Sequence, residues 1–389
     1  MRRTYPSTVA AIVGAWALSF ALPTPGDAQA RGSRQFGPGK CGPVDPVYLK
    51  TAGETGGQPF FLSPSEIAAS AQIMRETSGA NDTLILWATD SGGEREFSLP
   101  VDQTITRMTL SAMFDTTGGV MTIVSPDGRA MSPDGRIEDT LLNCGRIVTI
   151  PSPEPGLWRV KAGPTGRFWL VAHARSELDI ISARFVRIGG RPGHEGLMKI
   201  TGRPSATGPA TLQVNVSASG VRSVEFHLMT MAGRLLQRAD LSSVGDSEFA
   251  GPVDLPSESF RVTMTGRDAN DRLYQRVFNT AFRGELVELT SADAVETVQP
   301  GQDARLRIRL QNIGPRARYR IVATHVAQVL RTTPAEADVE EGAETIVTVT
   351  VPVPADASPG SRLEVMVTAS GDDARETMNY VMRHLVVGK

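Results

Sequence analysis

Three oxygen-bearing side chains fall within four positions at Asp268, Asn270 and Asp271, and a tight loop that gathers such groups suits calcium. The same residue types tolerate positive φ and cap their own backbone, so a plain hairpin turn is the competing reading. A second grouping is cationic: Arg305, Arg307 and Arg309 alternate along one segment, and Arg316, Arg318 and Arg320 along the next. Lined up on one face of a sandwich, these six guanidinium groups would meet an anionic glycan or a lipid head group. Asp338, Glu340, Glu341 and Glu344 follow closely, and with them the arginines read equally as a solvated, charge-balanced face.

Nucleophilic and metal chemistry finds less to work with. The five histidines, His173, His194, His227, His325 and His384, are scattered, and none lies four residues from another as a zinc-binding helix requires. His194-Glu195 opens like such a helix but has no second histidine and directly follows Pro192-Gly193. The sequence contains no Gly-x-Ser-x-Gly elbow, no phosphate-binding Gly-x-x-x-x-Gly-Lys loop and no reactive-cysteine signature. It predicts no cofactor beyond a possible calcium ion and no enzyme, leaving a hydrolase with an unannounced site as the rival enzymatic class.

Cys41 and Cys144 are the two cysteines of the chain. An oxidising compartment would join them, and closing a loop of about a hundred residues would stabilise the fold by at most roughly 4–5 kcal/mol; two buried free thiols are the alternative. The compartment is suggested by the first 30 residues. Arg2-Arg3, an apolar run from Val9 to Leu22 and the Ala28-Gln29-Ala30 cleavage pattern read as a removable secretion signal. The run is shorter than a membrane span needs and Pro23 breaks it, no later stretch matches it, and Arg31 rather than cysteine follows the cut. The expectation is an exported protein, periplasmic or secreted, with no lipid anchor and no membrane span; Ala, Arg and Gly usage points to a bacterial host. With 40 basic against 42 acidic residues, nucleic acid is not an expected partner.

The elements that must position these residues are mostly strands. Residues 31–46 are Gly-, Arg- and Pro-rich and read as a flexible leader. Ser63-Pro64-Ser65-Glu66 places a hydroxyl, a proline and a carboxylate as a capping box does, and Ile67, Ala71 and Met74 continue at helical spacing to about Glu76, with residues 78–81 as the stop. From Leu84 onward the period changes to two. Ser-Pro-Asp-Gly-Arg, at 125–129 and again at 132–136, is turn chemistry. Val224, Phe226 and Leu228 face inward in one strand with Glu225 and His227 toward water; Leu306, Ile308 and Leu310 in another, and Val347, Val349 and Val351 in a third, repeat the alternation. Breaks near Gly189-Gly190 and Arg283-Gly284 divide the chain into β-sandwiches at 81–187, 188–285 and 286–389, each of about a hundred residues.

The ordered motifs resemble a known family. Thr55-Gly56-Gly57-Gln58-Pro59-Phe60 followed by the capped helix, over 47–80, looks like the last strand, turn and helix of a von Willebrand factor A domain. Pro153-Glu154-Pro155-Gly156-Leu157-Trp158-Arg159-Val160 and Gly166-Arg167 resemble the module that follows that domain in hemicentins. Residues 260–268 and 271–277 resemble the same family's immunoglobulin-like module. The resemblance covers about residues 47–283, and 286–389 are similar to generic immunoglobulin-like modules.

It implies an all-β chain of three tandem immunoglobulin-like sandwiches, preceded by a strand-helix remnant, working in adhesion or scaffolding without enzymatic activity. The body of the A domain and its Asp-x-Ser-x-Ser metal motif are missing, so metal-dependent ligand capture is not carried over. The expected partner is a protein or cell-envelope polymer, with carbohydrate binding as the alternative function.

Overall fold

The computed structural model describes residues 40–41, 45–77, 82–131, 136–191, 193–206, 208–217, 220–256, 258–293, 297–326, 328–372 and 377–388. The secretion signal, residues 31–39, the helix stop at 78–81 and most of the second turn repeat lie outside them. The chain is nearly all β, with three hydrophobic cores in succession.

In the first unit the strands are β1 (Asp82–Asp90), β2 (Arg95–Val101), β3 (Arg107–Phe114), β4 (Val120–Val124), β5 (Glu138–Leu142), β6 (Gly145–Pro151), β7 (Gly156–Gly163) and β8 (Phe168–Arg175). A sheet of order β1-β8-β3-β6-β5 packs on a smaller one, β2-β7-β4. Phe97, Leu99 and Val101 of β2 and Trp158, Val160 and Ala162 of β7 alternate into the space between them. Trp158 follows the Pro153–Gly156 corner, its indole donating to Glu154 O at 2.9 Å. The first Ser-Pro-Asp-Gly-Arg run is a turn: Ser125 N donates to Arg129 O, Gly128 N to Ser125 O, and Gly128 has φ 85°.

The second unit comprises β9 (Asp179–Arg191), β10 (His194–Lys199), β11 (Pro209–Ser217), β12 (Val221–Thr230), β13 (Leu235–Ala239), β14 (Ser242–Gly245), β15 (Glu248–Asp254), β16 (Phe260–Asp268) and β17 (Leu273–Val277). Its sheets run β10-β9-β11-β15-β14 and β13-β12-β16-β17. Phe226 and Leu228 are buried as alternation predicts, but His227 is half-buried because its imidazole pairs with Thr265 Oγ1 at 2.9 Å.

The third unit comprises β18 (Val287–Ser291), β19 (Thr297–Val298), β20 (Asp303–Asn312), β21 (Ala317–His325), β22 (Gln328–Thr333), β23 (Glu336–Val339), β24 (Glu344–Pro352), β25 (Arg362–Gly371) and β26 (Met378–Val387). β22 pairs with β21 through residues 328–330 and with β24 through 331–333, so it passes from one layer of the sandwich to the other. Leu306, Ile308, Leu310, Val347, Val349 and Val351 are all fully buried.

Four features differ from the sequence reading. The leader expected through residue 46 ends earlier, because Cys41 is bonded to Cys144, Cys41 N donates to Asp115 O, and Lys40 bridges to Thr116. Where a strand was expected ahead of the capped helix, α1 (Pro46–Thr55) forms: Asp45 Oδ1 accepts from Val47 N, Pro46 takes the first turn, and Gly56 at φ 76° ends it. The capped helix itself begins as a turn and a short 3₁₀ segment before α2 (Ser70–Thr77), with Ser63 N on Glu66 Oε2 at 2.8 Å. The break expected at residue 188 falls inside β9, whose Leu178-flanked start already belongs to the second core; Gly189-Gly190 lies near the tip of the β9–β10 hairpin rather than in a linker.

Candidate functional site

Three strands of the first sheet, β1, β8 and β3, are buried on both faces. β1, β3 and β8 show near-continuous burial rather than alternation, because Cys41 and residues 45–61 lie as a strap across the outer face. Phe61 packs edge-on against Trp169 with ring centroids 5.1 Å apart, the Trp87 indole donates to Gly57 O, and Gln58 Nε2 donates to Trp169 O. Asn143 N donates to Glu66 Oε1 at 2.6 Å, so the capping carboxylate also ties the strap to the Cys144 hairpin; against burial, hydrogen bonds from Ser63 and Asn143 hold that carboxyl below its ordinary value.

The strap also grips the second unit. The last turn of α1 leaves carbonyls without intrahelical donors. Arg261 of β16, 1% exposed, donates to Gly53 O, and Ala281 N donates to Glu54 O at 2.9 Å. The Arg261 guanidinium lies 4.6 Å from the centre of the Trp87 ring and also bonds Asn279 O, so its charge is met by a helix C-terminus, carbonyls and an aromatic face, and burial pulls its pKa down to about 9.

A second buried cation joins the same two units. Arg276 of β17 and Asp102, which follows β2, are both fully buried, with Nη2 and Oδ2 2.8 Å apart. Arg276 also donates to Leu178 O, Gln275 O, Thr104 Oγ1 and Ser176 Oγ, and Asp102 Oδ1 accepts from Thr104 N. Gln275 Nε2 to Ile85 O and Thr89 N to Met231 O complete this joint.

The joint to the third unit is centred on Glu285, 1% exposed. Its carboxylate accepts from Arg203 at 2.7 Å, from Arg283 at 3.0 Å and from Met378 N at 3.2 Å. Asn379 of β26 reaches back, accepting from Arg203 N and donating to Arg203 O and Val287 O.

Where strap, first unit and second unit meet, a cavity of 330 Å³ opens, lined by Thr55, Gln58, Phe60, Asp82, Thr83, His173, Asp179 and Asn279 among others. His173 on β8 lies opposite Leu84 on β1, and Asp82 falls two residues along the same face. Among the described residues His173 has no hydrogen-bond partner, and burial holds its pKa below the ordinary value despite Asp82. Burial pushes the Asp179 carboxyl up, against the hydrogen bond from Ile180 N and the charge of Arg276.

The residues singled out in the sequence fare differently. Cys41 and Cys144 are joined, with Cα atoms 5.9 Å apart. Asp268 Oδ1 is spent on Asn270 N and Arg272 N, both at 2.9 Å, and the Asp271 carboxylate faces Arg222 and Arg267, so the trio is arranged as a hairpin cap. The six arginines do not share a face: β20 pairs with β18 and β24, while β21 pairs with β23 and β25 in the other layer. Arg309, Arg316 and Arg318 are paired to Glu344, Glu340 and Glu336. Asp102, Arg261, Arg276 and Glu285 were not distinguished in the sequence, where an arginine or carboxylate in a strand reads as outward. The continuous apolar runs Leu84–Ala88 and Phe168–Ala172 were the available signal that this sheet is covered on both sides.

A family model described as the hemicentin galactose-binding domain-like domain matches residues 82–177, and one described as the VWA7 Ig-like domain matches residues 287–389. The chain is hemicentin-like. Hemicentin-1 of Mus musculus is 25% identical over 247 residues, covering 61% of this chain and 4% of the relative. Hemicentin-1 of Homo sapiens is 24% identical over 272 residues, covering 66% and 5%. The chain thus spans about one-twentieth of these relatives. Among solved structures, a DUF4785 family protein from Legionella pneumophila aligns with 79% of this chain and 91% of its own at 9% identity and a TM-score of 0.40, too loose to bear on function.

Proposed function

We propose that the chain is a non-enzymatic, exported scaffolding and adhesion protein, a stiff arm of three sandwiches that offers strand faces and end loops to a protein or envelope-polymer partner. The observation that carries this reading is the pair of buried polar joints, Arg276 with Asp102 and Glu285 with Arg203 and Arg283. Domains in one chain ordinarily move relative to each other, whereas parting the first two units would strand the Arg276 and Asp102 charges at a cost of several kcal/mol, and parting the last two would break the hydrogen bonds that Met378 N and Asn379 make to Glu285 and Arg203. The Cys41–Cys144 bridge supports an oxidising compartment, periplasmic or extracellular, with residues 1–30 removed on export.

Solution scattering from the purified chain should give one maximum dimension that holds between low and high salt and widens in Glu285→Gln. Saturable retention on immobilised envelope or matrix fractions, without turnover of ester, peptide or glycoside probes, is the matching functional result. Turnover of any such probe, or the scattering profile of freely jointed modules, rejects the reading.

A second reading, carbohydrate binding, is supported by the galactose-binding-like match of residues 82–177 together with the polar cavity beside it.

A further inference from the structure

We infer that the cavity between the strap, β1, β8 and the β17–β9 edge is a binding site for a single hydroxylated sugar ring, neutral or amino-substituted and without acid groups. The ligand class rests on the carbohydrate-binding reading, while the location rests on the cavity.

Its volume of 330 Å³ lies at the small end for ligand pockets, which suits one ring and not a chain. Its lining is mixed: Phe60, Leu84, Ile180 and Val277 supply apolar surface, and Gln58, Asp82, Thr83, His173, Asp179 and Asn279 supply polar groups. That division suits a ring with one apolar face and a rim of hydroxyls. Among the described residues no lysine or arginine lines the cavity, whereas two carboxylates do. An acidic sugar would be repelled, and a ligand rich in donors would be drawn in.

The polar groups are also left wanting a donor. The neutral imidazole of His173, partnerless among the described residues, offers an acceptor nitrogen as well as a donor. Asp179 keeps lone pairs beyond the one taken by Ile180 N, and burial raises its pKa. Both side chains are half-buried, and ligand hydroxyls would take the place of the solvent that now reaches them. Because the walls come from three parts of the chain, an occupied cavity also ties the strap to both units, and binding should stabilise the assembled joint.

The test uses the whole purified chain with free glucose, galactose, glucosamine and glucuronic acid, read by saturation-transfer NMR and by thermal shift. At least one neutral or amino sugar should bind and raise Tm, and glucuronic acid should not. Asp179→Asn and His173→Gln, near-isosteric changes, should each weaken binding about tenfold while the far-ultraviolet spectrum is unchanged. Thr83→Val provides a third variant should either of those misfold. Binding that persists unchanged in these variants places any glycan site elsewhere and overturns the inference while sparing the carbohydrate reading. Preference for glucuronic acid overturns the inference too, and no binding of any of the four sugars ends both.

Discussion

Arg276→Met removes a fully buried guanidinium that sits 2.8 Å from Asp102 Oδ2 and donates to Leu178 O, Gln275 O, Thr104 Oγ1 and Ser176 Oγ. The carboxylate stays behind without its counter-charge, and four acceptors lose a donor. Breaking a buried pair from one side costs about 3–5 kcal/mol. Asp102 Oδ1 keeps its hydrogen bonds from Thr104, which sets the expected cost near the lower end, at about 3 kcal/mol. For two units melting together, about 200 residues, each kcal/mol is worth roughly 2–4 °C, so the transition of the coupled first and second units should fall by roughly 6–12 °C. Asp102→Asn alone leaves the opposite orphan, a buried cation, and should cost a similar amount. The double variant leaves neither charge and should be less destabilised than the two single costs added, with a coupling of at least about 1 kcal/mol. Three units need not melt together, so calorimetry should be read alongside hydrogen exchange, with protection lost first in β9 and β17. Additive costs, or a single variant within about 2 °C of the parent, would refute the joint.

Other outcomes can be checked with the same preparation. Cys41→Ser with Cys144→Ser opens a loop with a sequence separation of 103 and should cost up to about 4–5 kcal/mol, with exchange protection lost chiefly in residues 45–62; equal stability with and without reductant contradicts this. His173 is held neutral below its ordinary pKa of 6.5, so the folded chain binds fewer protons than the unfolded one there and stability falls as the pH drops through 6.5. His173→Gln should flatten that part of the pH–stability curve, with His227, also depressed by burial, accounting for the remainder; an unaltered curve is the contrary result. Gly56→Ala forces a side chain into φ 76° with its Cβ 2.7 Å from Asn279 O, and chemical denaturation should register a loss of about 1–2 kcal/mol or more.

Much of the architecture was legible locally. A strand half-buried on one side writes its orientation into every second residue, which is why Leu306, Ile308 and Leu310 could be placed inward without any knowledge of their neighbours. The Ser63–Glu66 box is likewise a matter of residues three apart, and two cysteines leave one pairing to make. The arginine grouping failed for the complementary reason. Alternation sends Arg305 and Arg318 outward but cannot say from which layer, and that depends on the chain crossing between layers from β20 to β21.

By itself, then, the sequence determined which segments are strands, which of their faces seek a core, and that one covalent bridge was available. The tertiary structure alone decided that the strap would seal the outer face of the first sheet and that Arg261 and Arg276 would turn inward. It also decided that His173 and Asp179, six positions apart and on different units, would border one cavity. The physical reason is range: periodicity and capping act over a few residues, whereas a buried charge is tolerable only where partners distant in sequence, such as Asp102 for Arg276 and Arg203 for Glu285, are brought within hydrogen-bonding distance.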